Sequence, residues 1–342
     1  MQTLTLAQRV VKKDDYVPCA EAFVDTRLPN RDGKLNYCII GPGVAENSKQ
    51  HINIVEPHGF NVGGVSLPTG KYNSLHAHET AEVFLICRGD WRFFWGHDGS
   101  DGEVVLSPGD VITVPVGCFR AFESVGSDDN FMISFLGEDD SGNVIWENAV
   151  IEGAAEFRFY LTKDSKLIDT NAGQELPPKD ELMQTLSEDQ LLQFHRVSPL
   201  EMAARVYNVS KMTGHNNVFG DESIDGGEKT FHAIIGENFT DTKQVKSHVL
   251  NPHSFALGAI VAPPNNGFNA HQVDAVQVYV VESGNWLITL EHNDDRLVRE
   301  LGPEDTVSIP ANAIRQIKNT GDSDGILHIV TAGNTAAQLT WI

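Results

Sequence analysis

The sequence writes one pattern twice, at a constant offset of 195 residues. "EPHGFNVGGVSLPTGKYNSLHAHETAEVFLICRGDW" (56–91) lies over "NPHSFALGAIVAPPNNGFNAHQVDAVQVYVVESGNW" (251–286). In this register Pro57 meets Pro252, His58 meets His253, His76 meets His271, and Gly89 and Trp91 meet Gly284 and Trp286. The register holds without a gap into "SPGDVITVPVGCFRAFESVG" (107–126) and "GPEDTVSIPANAIRQIKNTG" (302–321), where Arg120 meets Arg315. Self-similarity of this length means two copies of one structural unit. A chain of 342 residues is long enough to give each copy its own core.

Each copy is written in short β runs. "EVFLICRGDWRFFWG" alternates around Gly-Asp and "VQVYVVESGNWLITLE" around Ser-Gly-Asn, and both predict hairpins. Closely spaced strands with no helices between them predict a sandwich or barrel. Between the copies, "SEDQ" at 187 and "SPLE" at 198 are helix-capping patterns. The expected architecture is all-β: two β-barrels joined by a short helical connection. Residues 1–45 are expected to form an N-terminal arm able to add a strand to a sheet edge. The first barrel is expected over 46–160, a linker with one or two helices over 161–240, and the second barrel over 241–342.

The net charge of −22 argues against nucleic acid and anionic membrane surfaces as partners. The N-terminus has no long apolar signal core, and no apolar run is long enough to span a bilayer. Cys19, Cys38, Cys87 and Cys118 are scattered, with no CxxC pair. They read as reduced thiols, and the expected location is cytoplasmic. Exposed sheet edges make a homo-oligomer plausible.

The first copy carries the candidate chemistry. His76 and His78 lie two apart on an extended segment, so both imidazoles point to one face. Glu82 follows after a change of direction. Two imidazoles and a carboxylate converging inside a barrel make a divalent-metal site, His76, His78 and Glu82 being the ligands. This donor set suits non-heme Fe(II) best, with Mn, Ni or Zn as alternatives.

These residues resemble the cupin superfamily. Its first motif, G-x5-HxH-x3-E-x6-G, is matched at Gly70, His76, His78, Glu82 and Gly89. Its second, G-x5-PxG-x2-H-x3-N, is matched at Gly109, Pro115 and Gly117, but Arg120 stands for the histidine and Ser124 for the asparagine. The resemblance covers both repeats and implies a bicupin of two jelly-roll barrels. It carries His76, His78 and Glu82 over as metal ligands but not Arg120, since a guanidinium cannot ligate a cation.

Two readings of Arg120 follow. It pairs with Glu82 across the barrel and no metal is needed. Alternatively the metal stays, Arg120 faces its open side, and an anion sits between the two cations. On the second reading Arg120 is a catalytic and substrate-binding residue for a small anionic substrate. In the second copy His271 is kept, but Val273 and Gln277 replace the other histidine and the glutamate, and Arg315 again takes the late position. This barrel is expected to hold no metal. His271, Gln277 and Arg315 remain candidates for binding an organic anion, with structural support as the plainer role.

Two classes of function follow. One is a metal enzyme. Its architecture resembles bicupin ring-cleaving dioxygenases acting on hydroxylated aromatic carboxylates, and metal-dependent lyase or isomerase chemistry would use the same residues. The other is a non-catalytic bicupin that binds a small molecule or a sugar.

Overall fold

The computed structural model describes residues 4–236, 239, 243, 245–250, 253–334 and 337–342. Pro252, one member of the repeat, lies outside them. The chain divides into two compact units, residues 17–206 and residues 1–16 together with 207–342.

In the unit of residues 17–206, one sheet runs in the order Asp110–Val114, Glu82–Arg88, Phe131–Gly137, Phe60–Ser66, Leu35–Ile40, Ile52–Ile54. The opposing sheet runs Val144–Trp146, Tyr72–His78, Arg120–Ser124, Trp91–Trp95, Gly102–Leu106. Phe84, Ile86 and Ile112 of the first sheet and Trp91, Phe93, Trp95 and Phe122 of the second form one buried cluster. Phe84 meets Phe93 and Phe122 at ring distances of 5.1 and 5.4 Å. Alternating strands thus send one apolar row each into a shared interior, the arrangement of a jelly roll.

The unit of residues 1–16 and 207–342 repeats this design. Thr306–Ile309, Gln277–Ser283, Gly325–Ala332, Phe255–Ala262 and Thr230–Ile235 form one sheet. Asp295–Leu301, Trp286–His292, Ile314–Asn319, Gly267–Val273 and Leu339–Trp341 form the other. The edge of the first sheet is extended by Val10–Val11, with Val10 opposite Val307 and Val11 opposite Thr306. Lys12 pairs with Asp305 at 2.7 Å, and Arg9 donates to the Ser308 hydroxyl at 3.1 Å. The short strand Val10–Val11 thus lies at the edge of this sheet, while residues 17–45 group with the other unit.

The two predicted hairpins are corrected by the topology. Glu82–Arg88 and Trp91–Trp95 lie in opposite sheets, as do Gln277–Ser283 and Trp286–His292. Alternation tells which face of a strand is apolar but not which strand pairs with it. The Gly89-Asp90 and Gly284-Asn285 turns, with Gly89 at φ +71° and Gly284 at φ +84°, carry the chain across the interior. Both runs then face a common core. The hairpins that do form join Trp91–Trp95 to Gly102–Leu106 and Trp286–His292 to Asp295–Leu301.

The connecting segment holds two short helices, Glu188–Leu191 and Pro199–Ala203. Ser187 and Gln190 cap the first reciprocally, and the Ser198 hydroxyl accepts from Glu201 N in the second. A longer helix, Asn148–Glu156, closes the first barrel's own strand series and packs Val150 and Ala154 on Trp146 and Phe159.

The missing motif asparagine has a local explanation. In the second barrel Asn319 occupies that position and donates to the Ala262 carbonyl at 2.9 Å. In the first, Asn130 spans the same gap, donating to the Leu67 carbonyl at 2.5 Å and to the Ser124 hydroxyl at 3.0 Å. Leu67 and Ala262 are equivalent by the repeat offset. The strand tie survives although its donor has moved.

Candidate metal centre

Register brings the motif residues of the first barrel together. Arg120 lies opposite His76 on neighbouring antiparallel strands, and Trp146 lies opposite His76 from the other side. Glu82 begins the strand of the facing sheet. The candidate ligand atoms of His76, His78 and Glu82 all lie within 4.8 Å of one another. All three residues are buried, at 4, 2 and 6 % exposure.

The hydrogen bonds assign roles to the nitrogens. His76 Nδ1 is 2.7 Å from the Ser74 carbonyl oxygen. That bond requires a proton on Nδ1, which leaves Nε2 with its lone pair for coordination. His78 makes no side-chain hydrogen bond with the described residues. Its Nδ1 is fully buried without a partner, and its Nε2 stands 3.6 Å from Glu82 Oε2. Burial pushes both imidazoles well below the usual histidine range, and the Arg120 charge adds to it. Both rings are therefore neutral at physiological pH, the form in which imidazole binds a metal.

Arg120 is 2 % exposed and turned to Glu82. Its Nη2 and Nε reach the single oxygen Oε2 at 2.5 and 3.2 Å, while Nη1 donates to the carbonyls of His76 and Cys118. The other carboxylate oxygen, Oε1, accepts no hydrogen bond from the described residues. Burial pushes the Glu82 carboxyl up from its ordinary value, and Arg120 opposes that shift. Thus the geometry joins the two sequence readings. The guanidinium holds the glutamate, yet one glutamate oxygen and two imidazoles remain for an ion. A ligating carboxylate held by an outer hydrogen-bond partner is a common feature of metal sites. The donor set fits a divalent cation.

The cluster opens on a cavity of about 60 Å³ whose lining includes Phe84, Phe122, Val144 and Trp146 as well as the three candidate ligands. Trp146 tilts over His76 with ring centroids 5.3 Å apart, and its indole N–H donates to Glu46 at 2.6 Å.

In the second barrel His271, Gln277 and Arg315 are also brought together. His271 lies opposite Arg315, and Arg315 Nη1 donates to Gln277 Oε1 at 2.8 Å. Its Nε and Nη2 donate to the carbonyls of Ala313, Val273 and Pro310. The adjoining cavity is about 10 Å³, room for roughly one water. Among the described residues the only metal-competent cluster is that of His76, His78 and Glu82.

The jelly-roll pairing in both units, with the motif residues converging in one of them, decides the architecture. The chain has the fold of a bicupin. A cupin family model matches residues 58–159. The bicupin is similar over its whole length to solved oxalate decarboxylases. For the Lactobacillus farciminis formate complex the TM-score is 0.60 at 13 % identity, covering 100 % of this chain and 89 % of that one. For the Bacillus subtilis enzyme at pH 4.6 the TM-score is 0.57 at 12 % identity, covering 100 % and 80 %. No curated protein matches the sequence. At such identities the likeness concerns the fold of the bicupin. No helix among its described residues is long and apolar enough to cross a membrane.

Two features of the bicupin's site escaped sequence reasoning although the signal was present. Trp146 and Trp341 stand at the same offset of 195, and Trp341 tilts over His271 with ring centroids 5.2 Å apart as Trp146 tilts over His76. Lys34 and Lys229 also share that offset, and each is buried against an aspartate, Asp25 or Asp221. Extending the register beyond the matched windows finds both.

Proposed function

We propose that the first barrel is a mononuclear metal site for a small carboxylate, and that it cleaves a carbon–carbon bond of that acid by decarboxylation. The observation that carries this reading is the convergence of three neutral or anionic donors on a cavity of about 60 Å³. At ~10–15 Å³ for each water-sized occupant, that space suits an acid of roughly four to six heavy atoms. The fold likeness to oxalate decarboxylases, one described through its Mn(II) centres, supports the same class.

His76, His78 and Glu82 would hold the ion, which supplies Lewis acidity and a charge that anchors the acid. Arg120 keeps Glu82 oriented and ionised. A dication beside the Arg120–Glu82 pair leaves a net charge of about +2 in a buried site, which a dianionic substrate neutralises. Phe84, Phe122, Val144 and Trp146 give the cavity apolar walls that exclude water and strengthen these electrostatic interactions.

A second reading is an Fe(II) dioxygenase acting on a hydroxylated aromatic carboxylate. It is favoured by the donor set itself, two histidines and one carboxylate with open positions. One experiment separates the two. Protein made without a histidine tag is analysed for metal, loaded with Mn(II) or Fe(II), and offered oxalate and a panel of hydroxybenzoates. Release of CO2 from oxalate without net O2 uptake supports decarboxylation. Stoichiometric O2 uptake with a hydroxybenzoate supports the dioxygenase. Absence of bound metal after loading overturns both.

A further inference from the structure

The two barrels keep the same arginine but not the same charge. In the first, buried Arg120 is neutralised by Glu82. In the second, Gln277 stands at the position of Glu82 and Arg315 at that of Arg120. Arg315 is 1 % exposed, yet no carboxylate pairs with it among the described residues. Its hydrogen bonds go to neutral oxygens, those of the Gln277 carboxamide and of the Ala313, Val273 and Pro310 carbonyls. Asp221, a buried acid of the same unit, is committed to Lys229. A buried cation held by dipoles alone is costly, and an anion brought close to it removes much of that cost.

A place for such an anion adjoins Gln277. The cavity of about 10 Å³ is bordered by Gln277, Tyr279, Thr331 and His271, with Phe268 among its apolar walls. It admits one occupant of about the size of a water molecule. Gln277 Oε1 accepts from Arg315 Nη1 at 2.8 Å and from the Tyr279 hydroxyl at 3.2 Å. Those two bonds fix the carboxamide, so Nε2 turns to the Thr331 hydroxyl, donates to it at 3.0 Å and keeps a second hydrogen. Having accepted that bond, the Thr331 hydroxyl has its own hydrogen to give. His271 gives its Nδ1 proton to the Asn269 carbonyl at 2.8 Å and adds no donor. A water would donate to the lone pair left on His271 Nε2, but only an anion answers the charge of Arg315.

We propose that the second barrel binds a single halide ion, chloride in solution, which takes hydrogen bonds from Gln277 Nε2 and the Thr331 hydroxyl and balances the charge of Arg315. The site is independent of the metal centre in the first barrel and of its reaction. Its test follows thermal unfolding of the full-length protein in chloride and in gluconate of equal ionic strength, gluconate being too large for the cavity. The Tm of wild type is expected to rise with chloride, as for any ligand bound by the native state alone. Gln277→Glu sets beside Arg315 the carboxylate that the first barrel has, supplies the missing charge and is expected to lose the chloride shift. Thr331→Val removes one donor, leaves Arg315 without a carboxylate and is expected to need more chloride for the same shift.

Crystals grown in bromide locate the ion, and an anomalous peak beside Gln277 and Thr331 is the expected result. Equal Tm in chloride and gluconate overturns the inference. So does a chloride shift that Gln277→Glu retains, or one that Thr331→Val leaves unchanged. A bromide crystal with no anomalous peak at this place also overturns it, and the occupant is then the water that donates to His271.

Discussion

Arg120 gives two hydrogen bonds to one oxygen of Glu82, Oε2, and none to the other. This is how a cupin motif survives with an arginine where a histidine ligand is usual. The guanidinium supplies no donor atom for a cation; it braces Glu82, one of the three candidate ligands. In the second barrel Arg315 also holds the equivalent side chain, with a single hydrogen bond from Nη1 to Gln277, although Gln277 supplies no anionic ligand and the second histidine position is Val273. The bracing arginine is thus a feature of both barrels, and metal competence depends on what it braces.

One ion per chain follows from that asymmetry. Metal analysis of Mn-loaded wild type is expected to give about one equivalent. His76→Ala and His78→Ala are each expected to fall below about a tenth of that, with far-UV circular dichroism unchanged. His271→Ala is expected to keep the full equivalent. A second equivalent in wild type that disappears with His271→Ala would contradict the assignment.

Much of this site was legible in the sequence because the repeat register and strand alternation act on the same residues. His76 and His78 had to share a face, and Glu82 and Arg120 fell at motif spacings that the fold brings together. Strand partnership was not legible. The apolar rows of Glu82–Arg88 and Trp91–Trp95 satisfy a hairpin and a crossover equally well, and only packing of Phe84 on Phe93 distinguishes them. Nor was the pairing choice of Arg120, which depends on a distance across the barrel rather than on spacing. Lys34 lay outside the matched windows, since the sequence around it diverges while the buried pair it forms does not.

The buried pair itself should behave as a unit. Removing one partner, as in Lys34→Met, leaves Asp25 buried and uncompensated and is expected to cost about 3–5 kcal/mol of stability. Replacing both, Lys34→Met with Asp25→Leu, is expected to recover most of that loss. Urea unfolding of the two single variants, the double variant and wild type measures the coupling. Additive losses would mean that the two charges act independently.

Acid should weaken the second barrel through His271. Burial pushes this imidazole down to about 3, against an ordinary value near 6.5. Between those values the unfolded chain binds a proton that the native chain refuses. Stability therefore falls as pH falls from about 6.5 towards 3, by about 1.4 kcal/mol per pH unit for this one group. Above pH 6.5 neither state is protonated and the effect vanishes. Urea unfolding between pH 7.5 and 4 should show a shallower acid slope for His271→Leu than for wild type. Identical slopes would mean that His271 is not held neutral.

Arg120→His tests the bracing argument most directly. The change removes both hydrogen bonds to Glu82 and leaves a buried carboxylate without its cation, which is expected to cost the metal-free protein about 3 kcal/mol. It also places an imidazole opposite His76, on the strand from which the usual fourth ligand comes. Mn(II) or Fe(II) should then stabilise the variant more than wild type, because the ion both satisfies Glu82 and gains a nitrogen ligand. Thermal unfolding with and without saturating metal measures this: a lower metal-free Tm than wild type, and a larger upward shift on loading. A variant as stable as wild type without metal would show that the Arg120–Glu82 contact contributes little. A lower Tm with no larger metal shift would show that position 120 is too far from the ion to join its ligands.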